Sequence, residues 1–199
     1  MATTLFLVRH GMHELVGSAL AGRMAGVHLD EEGRAQAEAL AQHLARERIA
    51  GVQTSPLERC RETAEPIAAR LGLRAEAAEA LTEIDCGAWT GKRFAALAAD
   101  ADWQAWNAGR GVAVVPGGES MIAAQARGVA HVDALRRRWP DQALVLVSHA
   151  DVLRAIILAW LGLPLDRHDR IEIAPGSVST LAVWQGGGKL LALNEVPAR

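Results

Sequence analysis

Leu5, Phe6, Leu7 and Val8 follow one another without a polar break, and a second unbroken apolar run spans Ala143 to Val147. A strand with one wet face alternates apolar and polar residues. An uninterrupted run therefore predicts a strand buried on both faces. Such strands need a covering layer on each side, and the rest of the chain supplies helices. Ala37, Leu40, Ala41 and Leu44 recur at helical spacing within a helix expected over about Glu32 to Arg48. Cys60, Ala64, Ile67, Ala68 and Leu71 mark a second helix, and Val152, Leu153, Ile156, Ile157 and Trp160 mark another after the second apolar strand. A further helix is expected from about Ser120 to Trp139, where Pro140 halts it. Strands alternating with helices give the α/β class, a layered sheet covered on both faces. Pattern alone does not give the strand order.

Local signals refine this outline. Ile49–Ser55 reads as a weak strand. Ser55 is placed to cap the next helix, with Pro56 at its first position, Glu58 completing a capping box and Gly72 ending it. Pro66 inside that helix predicts a kink. Ser148 and Asp151 resemble a capping pair for the helix after the second apolar strand. Between Ile84 and Gly118 the pattern is weaker: "FAALAADADWQAWNAG" reads as helical with Trp103 and Trp106 turned inward, and "GRGVAVVPGG" as loop. "SVSTLAVWQGGGKLLALN" reads as two strands joined by a glycine-rich turn.

At 199 residues, with 50% hydrophobic and 22% charged residues, the chain suits one domain with a real core. A formal net charge of −2 gives no reason to expect nucleic acid or an anionic membrane as partner. Cys60 and Cys86 form neither a metal spacing nor a disulfide framework and fit a reduced cytoplasmic protein. The start of the sequence lacks a basic n-region and a long apolar run, so no signal peptide is expected. Val152 to Leu165 is interrupted by Arg154 and falls short of the ~20 residues a membrane span needs.

Sites in open α/β sheets gather outside the carboxyl ends of the strands. His10 follows the first apolar run and His149 the second. Arg9 adjoins His10, and Arg59 falls in the opening turn of its helix, where a cation opposes the helix dipole unless an anion lies between them. Arginines grip phosphate oxygens with paired N–H donors, and a neutral imidazole can attack phosphorus. The leaving alkoxide then needs an acid, for which Glu83 in "LTEIDCGAWTG" is the candidate.

"LVRHG" (7–11), "SPLERCRETA" (55–64), "LTEIDCGAWTG" (81–91), "PGGES" (116–120) and "VSHADVLRA" (147–155) resemble, in order and across nearly the whole chain, the signatures of the histidine phosphatase superfamily, also called phosphoglycerate mutase-like. The wording around "LAGRMAGVHLDEEGRAQA" is most similar to a branch of small bacterial phosphatases and phosphomutases. The resemblance implies a three-layer α/β/α sandwich with a mostly parallel central sheet, one domain over 1–199 with a small helical and loop insertion at about 85–118 near the active site. It implies a phosphatase with His10 as the nucleophile that becomes phosphohistidine, Arg9, Arg59 and His149 as phosphate ligands, and Glu83 as general acid and then base. No metal or cofactor is implied, and the partner expected is a small phosphorylated metabolite. A homodimer is compatible with the sequence but not indicated by it. Where relatives commonly place glutamate, threonine and asparagine, Met12, His13 and Val16 stand here; His13 is a candidate substrate contact, and so is Ser120 at the start of its helix.

Other functions are expected less. A mutase would use the same phosphohistidine, with Lys92, Arg93 and Arg110 as substrate-gripping residues. A zinc hydrolase would use His10, His13 and His149, against the repulsion of two arginines. A binding module without activity would explain the missing polar residues after Gly11.

Overall fold

The computed structural model describes residues 2–198. Strands β1 (Thr3–Arg9), β2 (Ile49–Thr54), β3 (Ala75–Ala77), β4 (Ala143–Ser148), β5 (Val178–Trp184) and β6 (Gly187–Glu195) make one sheet in the order β3-β2-β4-β1-β5-β6. The first four in that order are mutually parallel, β5 runs antiparallel to β1, and β6 runs antiparallel to β5 at the edge. The sheet is thus mostly parallel, as the resemblance implies, and flanked by helices, as the sequence pattern implies. β3 was not foreseen: "AEA" carries neither a β-branched nor an aromatic residue.

The two apolar runs lie side by side at the centre, with Leu5 against Leu144 and Leu7 against Leu146. Their side chains divide between the faces. Phe6, Val8, Val145 and Val147 pack on helices α1 (Glu31–Leu44) and α2 (Glu58–Leu71). Leu5, Leu7, Leu144 and Leu146 pack instead with residues of α5 (Met121–Arg138) and α6 (Ala150–Trp160). Leu5, Leu7 and Val8 are fully buried, each contributing about 1.5–3 kcal/mol by leaving water. Both faces are dry, which is why neither run needs alternation.

Helix starts only partly follow the sequence signals. Asp30 caps α1 by accepting from the Gly33 amide at 2.7 Å, and Ser120 caps α5 by accepting from Ala123 at 3.1 Å. α2 begins at Glu58 with Leu57 at its N-cap and no side-chain cap, so the expected Ser55 cap and capping box do not form. Ser55 sits at the end of β2, where its hydroxyl contacts His149 Nε2 at 3.0 Å and meets the Leu57 amide at 3.4 Å. α2 continues through Pro66 to Gly72, whose φ of 68° closes it. The expected capping pair of α6 is also absent. Ser148 donates to the Leu81 carbonyl, and Asp151 engages two arginines instead.

In the 85–118 segment, a short turn at Gly87–Trp89 precedes α3 (Phe94–Leu97) and α4 (Ala101–Ala108), which are separate because Asp100 caps α4. Trp89 and Trp106 are buried, and the half-buried Trp103 meets Trp89 edge-on at 5.3 Å. The ends of the segment cross at Gly87, where φ is 44° and a Cβ would lie 2.2 Å from the Pro116 carbonyl oxygen. Among the described residues no helix is long and apolar enough to cross a membrane.

Candidate active site

Arg9 pairs with Ser148 in the β1–β4 register, so the next residue on each strand, His10 and His149, emerges at the same rim. Their rings stand 5.2 Å apart, centroid to centroid. His10 Nδ1 lies 2.8 Å from the Gly11 carbonyl oxygen. A carbonyl only accepts, so Nδ1 carries the proton and Nε2 keeps its lone pair. Burial, followed by the charges of Arg59 and Arg9, holds the His10 pKa well below the usual range. The ring is therefore neutral and nucleophilic at physiological pH.

The loop carrying His10 is pinned from two helices. The Gly11 amide donates to Thr63 Oγ1 at 3.1 Å, and Thr63 donates to the Arg59 carbonyl at 2.7 Å. The Met12 amide donates to Gln36 Oε1 at 2.8 Å. α1 comes so close that a Cβ on Gly33 would lie 2.1 Å from the Met12 carbonyl oxygen. Thr63 was not singled out in the sequence, although its place one helical turn after Arg59, on the same face, was the available signal.

Arg9 donates through Nη1 to the Ile173 carbonyl at 2.7 Å, and Arg59 through Nη2 to the Gly22 carbonyl at 2.7 Å. Their remaining nitrogens are informative. Arg9 Nε, Arg59 Nε and Arg59 Nη1 are buried without a hydrogen-bond partner. Buried donors in folded proteins are nearly always paired, and unpaired charged ones are costly. A tetrahedral oxyanion at this point would satisfy them and resolve the unfavourable place of Arg59 near a helix N-terminus.

His149 is fully buried behind this cluster and does not itself line the hollow. Its Nδ1 lies 3.3 Å from Arg59 Nη2 and 3.6 Å from Glu83 Oε2. Burial, then Arg59, holds its pKa well below the usual range, so the approach to Glu83 is not an ion pair. Cys60 Sγ touches His149 Nε2 at 3.4 Å, and burial pushes that thiol up to about 12, leaving it unreactive. His13 packs 5.1 Å from His10, ring to ring. Its Nδ1 accepts from the Leu15 amide, and burial with the two arginines lowers it to about 4.

Glu83 accepts from the Ile84 amide at 2.9 Å through Oε1. Burial, reinforced by the negative charge of Asp151, raises its pKa to about 7. Asp151 stays ionised. Burial pushes its carboxyl up, but Arg110 at 2.6 Å and Arg154 at 3.0 Å outweigh it and hold it at about 2. This trio was missed in the sequence, since Arg110 lies 41 residues from Asp151 and leaves no periodic trace.

Arg9, His10, His13, Arg59 and Glu83 all line one hollow of about 110 Å³, which Val16 also borders. Ser120 does not line it, its hydroxyl being the cap of α5; Lys92 and Arg93 are exposed, and Arg110 borders a neighbouring hollow. Five sequence candidates thus converge directly, and His149 supports them from behind.

The model of the histidine phosphatase superfamily (branch 1) matches residues 5–196. The chain belongs to that superfamily. Phosphoserine phosphatase 1 of Hydrogenobacter thermophilus is 31% identical over 195 residues, covering 96% of this chain and 91% of its own. Glucosyl-3-phosphoglycerate phosphatase of Mycobacterium tuberculosis is 34% identical over 176 residues, covering 82% and 78%. The solved structure of a mycobacterial glucosyl-3-phosphoglycerate phosphatase complexed with VO3 superimposes with a TM-score of 0.88 at 30% identity, covering 96% of this chain and 98% of that one. This histidine phosphatase is a phosphomonoesterase by family.

Proposed function

We propose that this histidine phosphatase hydrolyses a small phosphorylated metabolite without a metal, through a phosphohistidine at His10. The observation carrying the reading is the free Nε2 of a neutral His10 in the same hollow as the unpartnered nitrogens of Arg9 and Arg59. His10 Nε2 attacks phosphorus and forms the P–N bond while the P–O bond to the alcohol breaks. Glu83, protonated in part at neutral pH, gives its proton to the leaving oxygen. As a carboxylate it then takes a proton from water, whose oxygen attacks phosphorus and releases His10. The guanidinium groups hold the oxygens whose charge changes in each transfer.

Hydrolysis is favoured over mutase chemistry because Lys92 and Arg93 point to solvent and Arg110 is engaged by Asp151. The rings of His13 and His149 stand 5.1 and 5.2 Å from that of His10, centroid to centroid. Among the described residues, however, no three histidine, cysteine or carboxylate groups are arranged to hold a metal, and Arg9 and Arg59 oppose a cation there.

The test is labelling with substrate phosphate. The protein should acquire an acid-labile, base-stable phosphoryl group, with and without EDTA, and His10→Ala should lose it. Labelling that persists in the variant, or turnover that EDTA removes, rejects the mechanism.

A further inference from the structure

We infer that the alcohol released by this site is apolar, so that the preferred substrates are phosphate monoesters of aliphatic or aromatic alcohols rather than of sugars and other polyols. The inference rests on the phosphatase reading above and deepens it. Four of the five polar side chains lining the 110 Å³ hollow have a task in that reading: Arg9 and Arg59 for phosphate, His10 for attack and Glu83 for the proton. The fifth, His13, accepts from the Leu15 amide through Nδ1 and keeps one donor, Nε2–H. The remaining side chains of the wall are Leu15, Val16, Ala19, Leu20, Ala21 and Phe94.

Several backbone groups along this wall are already paired within the protein. The Leu15 carbonyl accepts from Ser18 and Ala19, the Leu20 amide donates to Lys92, the Leu20 carbonyl accepts from Gly91, and the Ala21 carbonyl accepts from Met24. The Gly22 carbonyl is taken by Arg59. A sugar hydroxyl brought against this wall would lose water and find little to replace it. A methylene would lose nothing.

The apolar lining continues past Glu83, on the side where an acid must stand to reach the leaving oxygen. Leu20 and Glu83 are shared with a second hollow of about 40 Å³, whose further walls include Ile84, Trp89, Trp103, Trp106 and Val115. Its charged residues, Arg110 and Asp151, are joined to each other, and Arg110 Nε is the buried donor there that has no partner. A leaving group extending past Glu83 meets aliphatic wall first, then indole rings with the unpartnered Arg110 Nε beside them.

Ethyl, propyl and butyl phosphate, with erythritol 4-phosphate as the hydroxylated match of the last, test this on the intact enzyme. Alkoxide chemistry favours the polyol as leaving group, so a preference for the alkyl ester must come from binding. The expected result is kcat/KM rising up to about fourfold per methylene, and butyl phosphate exceeding erythritol 4-phosphate at least about tenfold. Val16→Thr keeps the volume and adds a hydroxyl; it should lower the butyl-to-erythritol ratio about threefold or more. The ratio is unaffected by partial loss of folded enzyme. A flat or falling series, or a polyol preference, in an enzyme that still turns over an aryl phosphate through His10 overturns the apolar subsite and leaves the phosphatase. Absence of turnover on every ester, with no label on His10, overturns both.

Discussion

Glu83 has to give a proton and later take one, and a carboxyl near its solution pKa would be almost entirely ionised at neutral pH. Burial and the Asp151 charge bring it to about 7, where both forms are populated. With a poor leaving group, turnover should therefore fall as pH rises through about 7. Glu83→Gln should depress poor-leaving-group esters by about 10²–10⁴ and aryl phosphates much less. Equal losses on both would remove the acid role. The same shift has a stability cost with a definite sign. A carboxyl whose folded pKa exceeds its unfolded value of about 4.5 binds more protons when folded, so the native state loses stability as pH climbs from about 4.5 to about 7. Glu83→Gln should raise Tm at pH 8 by on the order of 5 °C and leave it nearly unchanged at pH 4. Melting curves at the two pH values check this, and a variant less stable at pH 8 refutes it. Residues on strand ends and in motifs could be picked from the sequence because rim positions and Arg–His adjacency have local signatures. Asp151 could not: its neighbours by sequence suggest a helix cap, and only the folded chain brings Arg110 to it.

Parallel strands β1 and β4 and the N-termini of α1 and α2 form the frame that holds the His10 loop. Gly33 is its tightest point, with room for hydrogen only against the Met12 carbonyl. In an ordinary helix Gly→Ala stabilises by about 1 kcal/mol. Here Gly33→Ala should destabilise by about 1–3 kcal/mol, because α1 must back away from Met12. It should also lower kcat, since the displaced loop carries the nucleophile. A thermal melt and steady-state rates measure both, and a stabilised, fully active variant would show that the contact relaxes freely. The elements themselves were largely legible. Unbroken apolar runs fixed β1 and β4, and spaced alanines and leucines fixed α1. What was not legible lay where tertiary contacts overrode local chemistry. Ser55 gives its hydroxyl to His149 rather than to the α2 amides beyond Leu57. One expected helix split where Asp100 caps a fresh start.

Across the whole molecule, the sheet order brings together groups that are 139 residues apart in the chain, His10 and His149, and ties the 85–118 segment to the first turn of α6 through Arg110 and Asp151. Because the arginine donors are already gathered, a phosphate-like ion should stabilise the native state alone. Inorganic phosphate or vanadate at about 100 times its Kd should add about 2.7 kcal/mol, a Tm rise of about 5–10 °C for a chain of this length. Arg59→Met should lose most of that rise; an undiminished shift would place the anion elsewhere. Topology could not be foreseen from apolar pattern, since strand-buried runs look alike whichever neighbour they choose. The Arg9–Ser148 register has one more effect. With both histidines riding on adjacent strands, their separation is governed by inter-strand spacing, a length that backbone hydrogen bonds keep nearly constant. The entropy of setting the nucleophilic imidazole against the one that backs it is settled once, as the sheet forms, and is not charged again at each turnover.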